Sequence, residues 1–254
     1  MQVVVDDLLT NCDLSGKGPL TLLLHGWGDN LQGLRLLHSE LAKDHQVLSL
    51  DLPGFGKTDA PKTVWNLDNY AYFVANVIKK LELDEPEIVI GHSNGGALAI
   101  RAVSLNILEP KKLVLIAASG IRNNKTAKRM ALQVLAKTGN AATIWMPERY
   151  REALRKSLYG AAGSDLLVMP QLEETFKKTV RQDVQKDAKL ITIPTLLIYA
   201  KKDEAVPIAY GRRFHELIEG SKLEEIDDSG HFIHLDQSEK VLELIERFIK
   251  NNNA

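Results

Sequence analysis

A short apolar run, Ile88-Val89-Ile90, leads into Gly91-His92-Ser93-Asn94-Gly95, and a run of small residues from Gly95 to Ala99 leads out. No other stretch restricts the fold as strongly. It reads as a buried strand, a very sharp turn and a helix. The serine at the apex is expected in strained backbone, with Gly91 and Gly95 giving the crossing segments room to approach. Such a turn lifts the hydroxyl above a sheet edge and aims it at a helix N-terminus, whose first peptide N–H groups are unpaired. Gly-x-Ser-x-Gly alone is a common pattern. The strand before it and the helix after it give it meaning.

The same strand-then-helix rhythm runs through most of the chain. Val3 to Val5 and Leu8-Leu9 read as short leading strands, with Ser15 to Pro19 as a turn. Leu20 to Leu24 is a buried strand ending on His25-Gly26-Trp27-Gly28-Asp29-Asn30, and Leu31, Leu34, Leu37 and Leu41 then repeat at helical spacing. Gln46 to Leu50 is a strand ending on Asp51-Leu52-Pro53-Gly54-Phe55-Gly56. A helix turning Tyr70, Phe73, Val74, Val77, Ile78 and Leu81 inward follows it. Leu113 to Ala117 and Thr195 to Ala200 are further strands, and Leu223 to Ile226 a half-buried one. The last helix is expected to start with Asp236-x-x-Glu239 as a capping box and to bury Val241, Leu242, Ile245, Phe248 and Ile249. This alternation implies an α/β fold with a mostly parallel sheet and helices on both faces.

One interval breaks the rhythm. Far more chain separates the strands near Ala118 and Thr195 than the dozen or so residues a parallel crossover needs. Three helical candidates fill it: Lys125 to Lys137, Glu148 to Tyr159 and Gln171 to Lys189. The expected organisation is a core of residues 1–120 and 191–254, with 121–190 inserted as a helical cap. The cap carries fourteen Lys and Arg against seven Asp and Glu, a formal +7, which leaves −8 for the core. A basic lid over an acidic body could steer anions toward a cleft, or be merely solvated helix faces docked on the core.

A net charge of −1 argues against nucleic acid as a bulk electrostatic partner. The single cysteine, Cys12, excludes an intramolecular disulfide and a cysteine-rich metal site. The first residues lack a basic region followed by an apolar core, and no apolar run approaches the ~20 residues of a membrane span. A cytoplasmic protein is expected, monomeric or homodimeric.

Ligands of an open parallel sheet bind beyond the carboxyl ends of its strands. A serine nucleophile needs a base, and the base needs a carboxylate to fix its tautomer. His231, directly after Gly230 and the last strand, suits the base better than His234, which lies nearer the final helix. His92 points away from the serine's side of so tight a turn, and His25 precedes the other glycine loop. His38, His45 and His215 read as surface or structural residues. Asp203 and Glu204 compete for the carboxylate, and Asp203 is favoured because Val206-Pro207 restarts the next helix at a fixed offset. The anion formed by attack on a carbonyl needs fixed donors, for which Asn94 N–H and Trp27 N–H are the candidates.

The set His25-Gly26-Trp27-Gly28, Asp51-x-x-Gly54-x-Gly56, Gly91-x-Ser93-x-Gly95, Asp203-x-x-Val206-Pro207 and Gly230-His231-Phe232 resembles the α/β-hydrolase family, from about Leu20 to Ile249. The resemblance implies an eight-stranded, mostly parallel sheet with its second strand antiparallel, and a cap after the sixth strand. It implies Ser93 as nucleophile, His231 as base, Asp203 as its partner and an oxyanion hole from Trp27 and Asn94. Trp27 and Phe232 are the expected substrate contacts, and neither cofactor nor catalytic metal is expected. Serine at position 93 sets the chain apart from aspartate-using relatives, the haloalkane dehalogenases and epoxide hydrolases. The expected reaction is hydrolysis of small or medium carboxylic esters or lactones through an acyl-enzyme. The chain is also similar to carbon–carbon bond hydrolases of ring-cleavage products, for which Arg101 is a candidate carboxylate binder, and to slow receptor-like members of the family.

Overall fold

The computed structural model describes residues 1–122 and 172–251. Eight strands form one sheet: β1 (Gln2–Val5), β2 (Leu8–Ser15), β3 (Leu20–Leu24), β4 (Gln46–Leu50), β5 (Ile88–His92), β6 (Lys112–Ile116), β7 (Thr195–Ala200) and β8 (Lys222–Ile226). Their spatial order is β1-β2-β4-β3-β5-β6-β7-β8. Strand β2 pairs antiparallel with β1 and β4, and every pairing from β4 to β8 is parallel. The β1–β2 hairpin turns on Asp6 and Asp7, both with positive φ (48° and 61°), as a two-residue turn matched to strand twist requires. Strand β2 runs to Ser15, well past the expected Leu9, because its outer half pairs with β4.

The described helices are α1 (Arg35–Leu41, after a 3₁₀ turn at Leu31–Leu34), α2 (Leu67–Lys80), α3 (Asn94–Ser104), α4 (Glu173–Arg181), α5 (Gln185–Ala188), α6 (Ile208–Leu217), α7 (Ile233–Asp236) and α8 (Ser238–Lys250). Central strands are apolar at consecutive positions because both sheet faces are covered. Leu23, Ile88, Ile90, Val114, Ile116 and Ile198 pack with Leu37 of α1 and Val241, Ile245 and Phe248 of α8. Leu22, Leu24, Val89, Leu113, Leu115 and Leu197 face the other way, toward Tyr70, Phe73 and Val77 of α2, Leu98 and Ile100 of α3 and Phe214 of α6.

Two expectations at helix ends are corrected. The Asp236-x-x-Glu239 capping box does not form: α8 begins after Gln237 without a side-chain cap. Asp236 instead closes α7, and its carboxylate accepts hydrogen bonds from Ser229 Oγ (3.0 Å) and Gly230 N (3.2 Å), inside the loop that carries His231. On α8, Leu244 is buried, while Leu242 and Ile249 are only partly so.

The expected Gln171–Lys189 helix is broken into α4 and α5. Gln182 is extended, Asp183 accepts from Arg122 N and Gln185 N (both 2.9 Å), and Val184 N donates to Gly120 O (2.8 Å). The break fastens this segment to the loop after β6. The other two helical candidates of the interval, Lys125–Lys137 and Glu148–Tyr159, lie outside the described residues.

Strand β3 lies between β4 and β5, so strand order runs outward from it in both directions. That switch point leaves a crevice at the strands' carboxyl ends, between the loop after β3 and the turn after β5.

Candidate active site

Ser93 occupies that crevice with φ 53° and ψ −115°, a backbone conformation that costs a non-glycine residue about 1–3 kcal/mol. Its surroundings hold it there. Ser93 N donates to Ile116 O (2.9 Å), and Ser93 O accepts from Gly96 N (3.0 Å), Ala97 N (3.2 Å) and Ser119 N (3.0 Å). The crossing of α3 over the sheet leaves no room for side chains. A Cβ on Gly91 would sit 2.7 Å from Gly95 C, and one on Gly95 would sit 2.6 Å from His25 O.

His231 Nε2 lies 3.0 Å from Ser93 Oγ, and its Nδ1 lies 2.8 Å from Asp203 Oδ2. Asp203 has a side chain 0% exposed, against 17% for His231. Its other oxygen accepts from Ala205 N and Val206 N, both at 2.8 Å. The Val206-Pro207 corner therefore fixes the carboxylate through two main-chain donors, while Glu204 points into solvent. The carboxylate, fixed by three donors, accepts from Nδ1–H and so selects the tautomer whose Nε2 lone pair faces the hydroxyl.

Asn94 opens α3, so its N–H has no acceptor within the helix. The loop holding Trp27 lies directly opposite: a Cβ on Gly26 would be 3.2 Å from the Ser93 Cβ. The Trp27 ring packs edge-on against Phe55 (4.8 Å between centroids) and tilted against Phe176 of α4 (5.0 Å). Phe232 is exposed beside His231 (5.4 Å between ring centroids). Leu172 covers Gly54, and Trp65 N donates to Thr175 Oγ1 (3.1 Å), so the returning end of the 121–190 interval lies along one wall of the crevice.

Arg101 does not face this crevice. Its Nε lies 2.7 Å from Asp68 and its Nη1 2.6 Å from Asp187, which ties α3 to α2 and α5. Hydrogen bonding to Arg101 holds the Asp68 carboxyl below its usual range.

Several supporting residues escaped the sequence reading. Asp51, in the Asp-x-x-Gly-x-Gly segment, is buried and accepts from Leu31 N (2.8 Å), Asn11 Nδ2 (2.8 Å) and Lys57 N (2.9 Å). It thus fastens the loops after β3 and β4 together. His25 is buried between them. Its Nε2 accepts from Leu52 N (2.9 Å), so Nδ1 carries the proton and donates to Gly26 O (2.7 Å), and burial lowers its pKa. His92 reaches the His231 loop: its Nε2–H donates to His231 O (3.1 Å). A motif reading finds Gly-His-Ser but not what the histidine contacts.

A separate cleft of about 330 Å³, lined by Gly18, Asp84, Glu87 and Lys111 among others, lies at the opposite, amino ends of the strands. Among the described residues no helix is long and apolar enough to cross a membrane.

The family model described as the alpha/beta hydrolase fold matches residues 19–238. The chain belongs to the α/β-hydrolase family. A curated relative, the 2-hydroxy-6-oxo-2,4-heptadienoate hydrolase of Pseudomonas putida, is 24% identical over 97% of this chain and 95% of its own. Among solved structures, an esterase from Exiguobacterium antarcticum matches with a TM-score of 0.75 and 24% identity, covering 98% of this chain and 99% of the esterase. The enol-lactonase from Burkholderia xenovorans LB400 matches with a TM-score of 0.77 and 18% identity, covering 99% of this α/β hydrolase and 100% of the lactonase. At these identities the structural matches speak for the shared fold.

Proposed function

We propose that this α/β hydrolase cleaves carboxylic esters of small or medium acyl groups, lactones included, through an acyl-enzyme on Ser93. The observation that carries the reading is the continuous chain Ser93 Oγ to His231 Nε2 (3.0 Å) and His231 Nδ1 to Asp203 Oδ2 (2.8 Å) at the crevice of the sheet. In this reading His231 takes the serine proton as Oγ attacks the ester carbonyl. Asp203 stabilises the imidazolium, and the N–H groups of Asn94 and Trp27 receive the oxyanion. The same imidazolium then gives its proton to the leaving alkoxide. Water attacks the acyl-enzyme by the reverse sequence and regenerates Ser93. Trp27 and Phe232 form apolar walls for the acyl or alcohol group, and residues 121–190 act as the cap that selects it.

Carbon–carbon bond cleavage is the second reading, favoured by the likeness to the Pseudomonas putida dienoate hydrolase. It has less support because Arg101, the cation in the last turn of α3, is committed to Asp68 and Asp187. A panel of p-nitrophenyl esters, lactones and thioesters of graded acyl length, run beside a vinylogous diketone acid, separates the two. The ester reading expects kcat/KM to peak at a short or medium ester or lactone. Turnover of the diketone acid alone would overturn it.

A further inference from the structure

Close to Ser93 and His231, three side chains meet from three separate segments of the chain. Asp29 lies in the loop after β3, His92 ends β5 one residue before Ser93, and His234 lies in α7, three residues after His231. We propose that Asp29, His92 and His234 bind one divalent transition-metal ion of the Zn²⁺ class, which staples the loop after β3 to the segments that carry Ser93 and His231.

The first support is geometric. One potential ligand atom from each residue lies within 4.8 Å of the other two, so a point exists within about 2.8 Å of all three. Zn–N and Zn–O bonds of roughly 2.0–2.2 Å need an inward adjustment of up to about 0.8 Å per side chain. The second is the state of these atoms. His92 and His234 are each 1% exposed, yet His92 Nδ1 and both ring nitrogens of His234 lack hydrogen-bond partners, as does the buried Asp29 Oδ2. The nearby Gly33 backbone favours the charged form of His234 without meeting hydrogen-bond geometry. Each buried, unpaired polar atom costs about 1–3 kcal/mol, so several aimed at one point call for an occupant.

The chemistry of the donors selects that occupant. His92 Nε2 carries the proton that it donates to His231 O, so Nδ1 presents a lone pair. A neutral His234 presents a lone pair at one nitrogen, and Asp29 Oδ2 is an acceptor only. With His234 in the tautomer that turns its lone pair inward, three acceptors converge, whereas a water has two protons to give; a cation meets all three. Two imidazoles and one carboxylate suit Zn²⁺ and its transition-metal neighbours rather than Ca²⁺ or Mg²⁺, which prefer all-oxygen shells. The His92 Nε2–H to backbone carbonyl bond is the outer contact that orients metal-binding histidines in general. Here that carbonyl belongs to His231, so occupancy of the site stiffens the base's own loop. The ion supplies no step of ester cleavage, and the inference does not depend on the substrate class. Asp29 is half-buried and marks the route of entry.

The test uses the full chain after EDTA treatment, titrated calorimetrically with ZnCl₂ and, in parallel, with Co²⁺ followed by its visible absorption. The expected result is one saturable equivalent and a thermal midpoint raised by roughly 5–10 °C at a hundredfold excess over Kd. Asp29→Asn and His234→Gln should each weaken binding by about a hundredfold, while His215→Gln should bind as the wild type does. No saturable binding, or unchanged binding in both cluster variants, overturns the proposal. Should a variant fail to fold, imidazole NMR of the wild type decides. Zn²⁺ must shift the His92 and His234 rings and leave His45 and His215 in place; the reverse pattern overturns the site.

Discussion

Replacing Gly95 with alanine adds one methyl group where α3 crosses β3. That Cβ would lie 2.6 Å from His25 O and 2.7 Å from Leu24 C, and closer still to Leu24 O. All three are backbone atoms at the end of β3 and of the residue after it, so no side-chain rotation relieves the overlap. Ordinary contact near 3.5 Å requires the helix to withdraw by about 1 Å. Overpacking of this kind costs about 3 kcal/mol, offset by up to about 1 kcal/mol from alanine's better helix propensity. A net loss of about 2–3 kcal/mol leaves a protein of ordinary stability folded. Ser93 moves with the helix, and a displacement of ~1 Å is expected to lower kcat/KM roughly a hundredfold. Urea unfolding and p-nitrophenyl ester hydrolysis measure the two effects on one preparation. Gly220→Ala is the control: φ is +71° there, but nothing lies within 4 Å of the added Cβ. It should cost about 1 kcal/mol of stability from backbone strain alone and leave activity unchanged. If Gly95→Ala unfolds within 0.5 kcal/mol of wild type at full activity, close packing of α3 on β3 is not what holds Ser93.

Three further outcomes follow from the same contacts. Asp203→Asn keeps the packing but permits the wrong imidazole tautomer, so kcat should fall by about 10³–10⁴, the scale of this change in serine-protease triads, with little change in Glu204→Gln. Arg101→Leu strands Asp187 (12% exposed) and Asp68 (33% exposed), at a cost of about 2 kcal/mol in urea once their partial exposure is discounted. KM for a carboxylate-bearing ester should stay unchanged; a raised KM at unchanged stability would assign Arg101 to substrate. Burial lowers the pKa of His25 and His38, and that of His234 to about 4, from an ordinary 6.5. Above pH 6.5 these groups are neutral in both folded and unfolded chains and contribute nothing to the pH dependence. Below it the unfolded chain takes up protons first, so stability measured without added metal should fall steadily toward pH 4. A flat profile across that window would contradict the neutral burial of these rings.

The sheet was legible because each parallel strand is an apolar run ending on a loop whose residue types are constrained. Thr195 to Ala200 matches β7 at both ends, because burial on both faces leaves no position for a charged residue. Asp203 accepts the N–H of Val206, three residues on, whereas Glu204 is exposed. Contacts between loops were not legible. Asp51 bridges β2, the turn after β3 and its own loop, and no local pattern marks a carboxylate for three donors so far apart in sequence. Asp236 satisfied the pattern of a helix cap, yet the nearer Ser229 and Gly230 took its carboxylate. Arg101 illustrates the converse, because a cation near a nucleophile reads as a substrate group until its partners on α2 and α5 are located.

The central claim is that Ser93 is acylated. Mixing the enzyme with a slowly deacylating p-nitrophenyl ester, quenching within one turnover and measuring intact mass tests it directly. The account predicts a gain of one acyl group, mapped to the peptide containing Ser93 and absent from Ser93→Ala. Turnover retained in Ser93→Ala, or an acyl group carried on another residue, would contradict it.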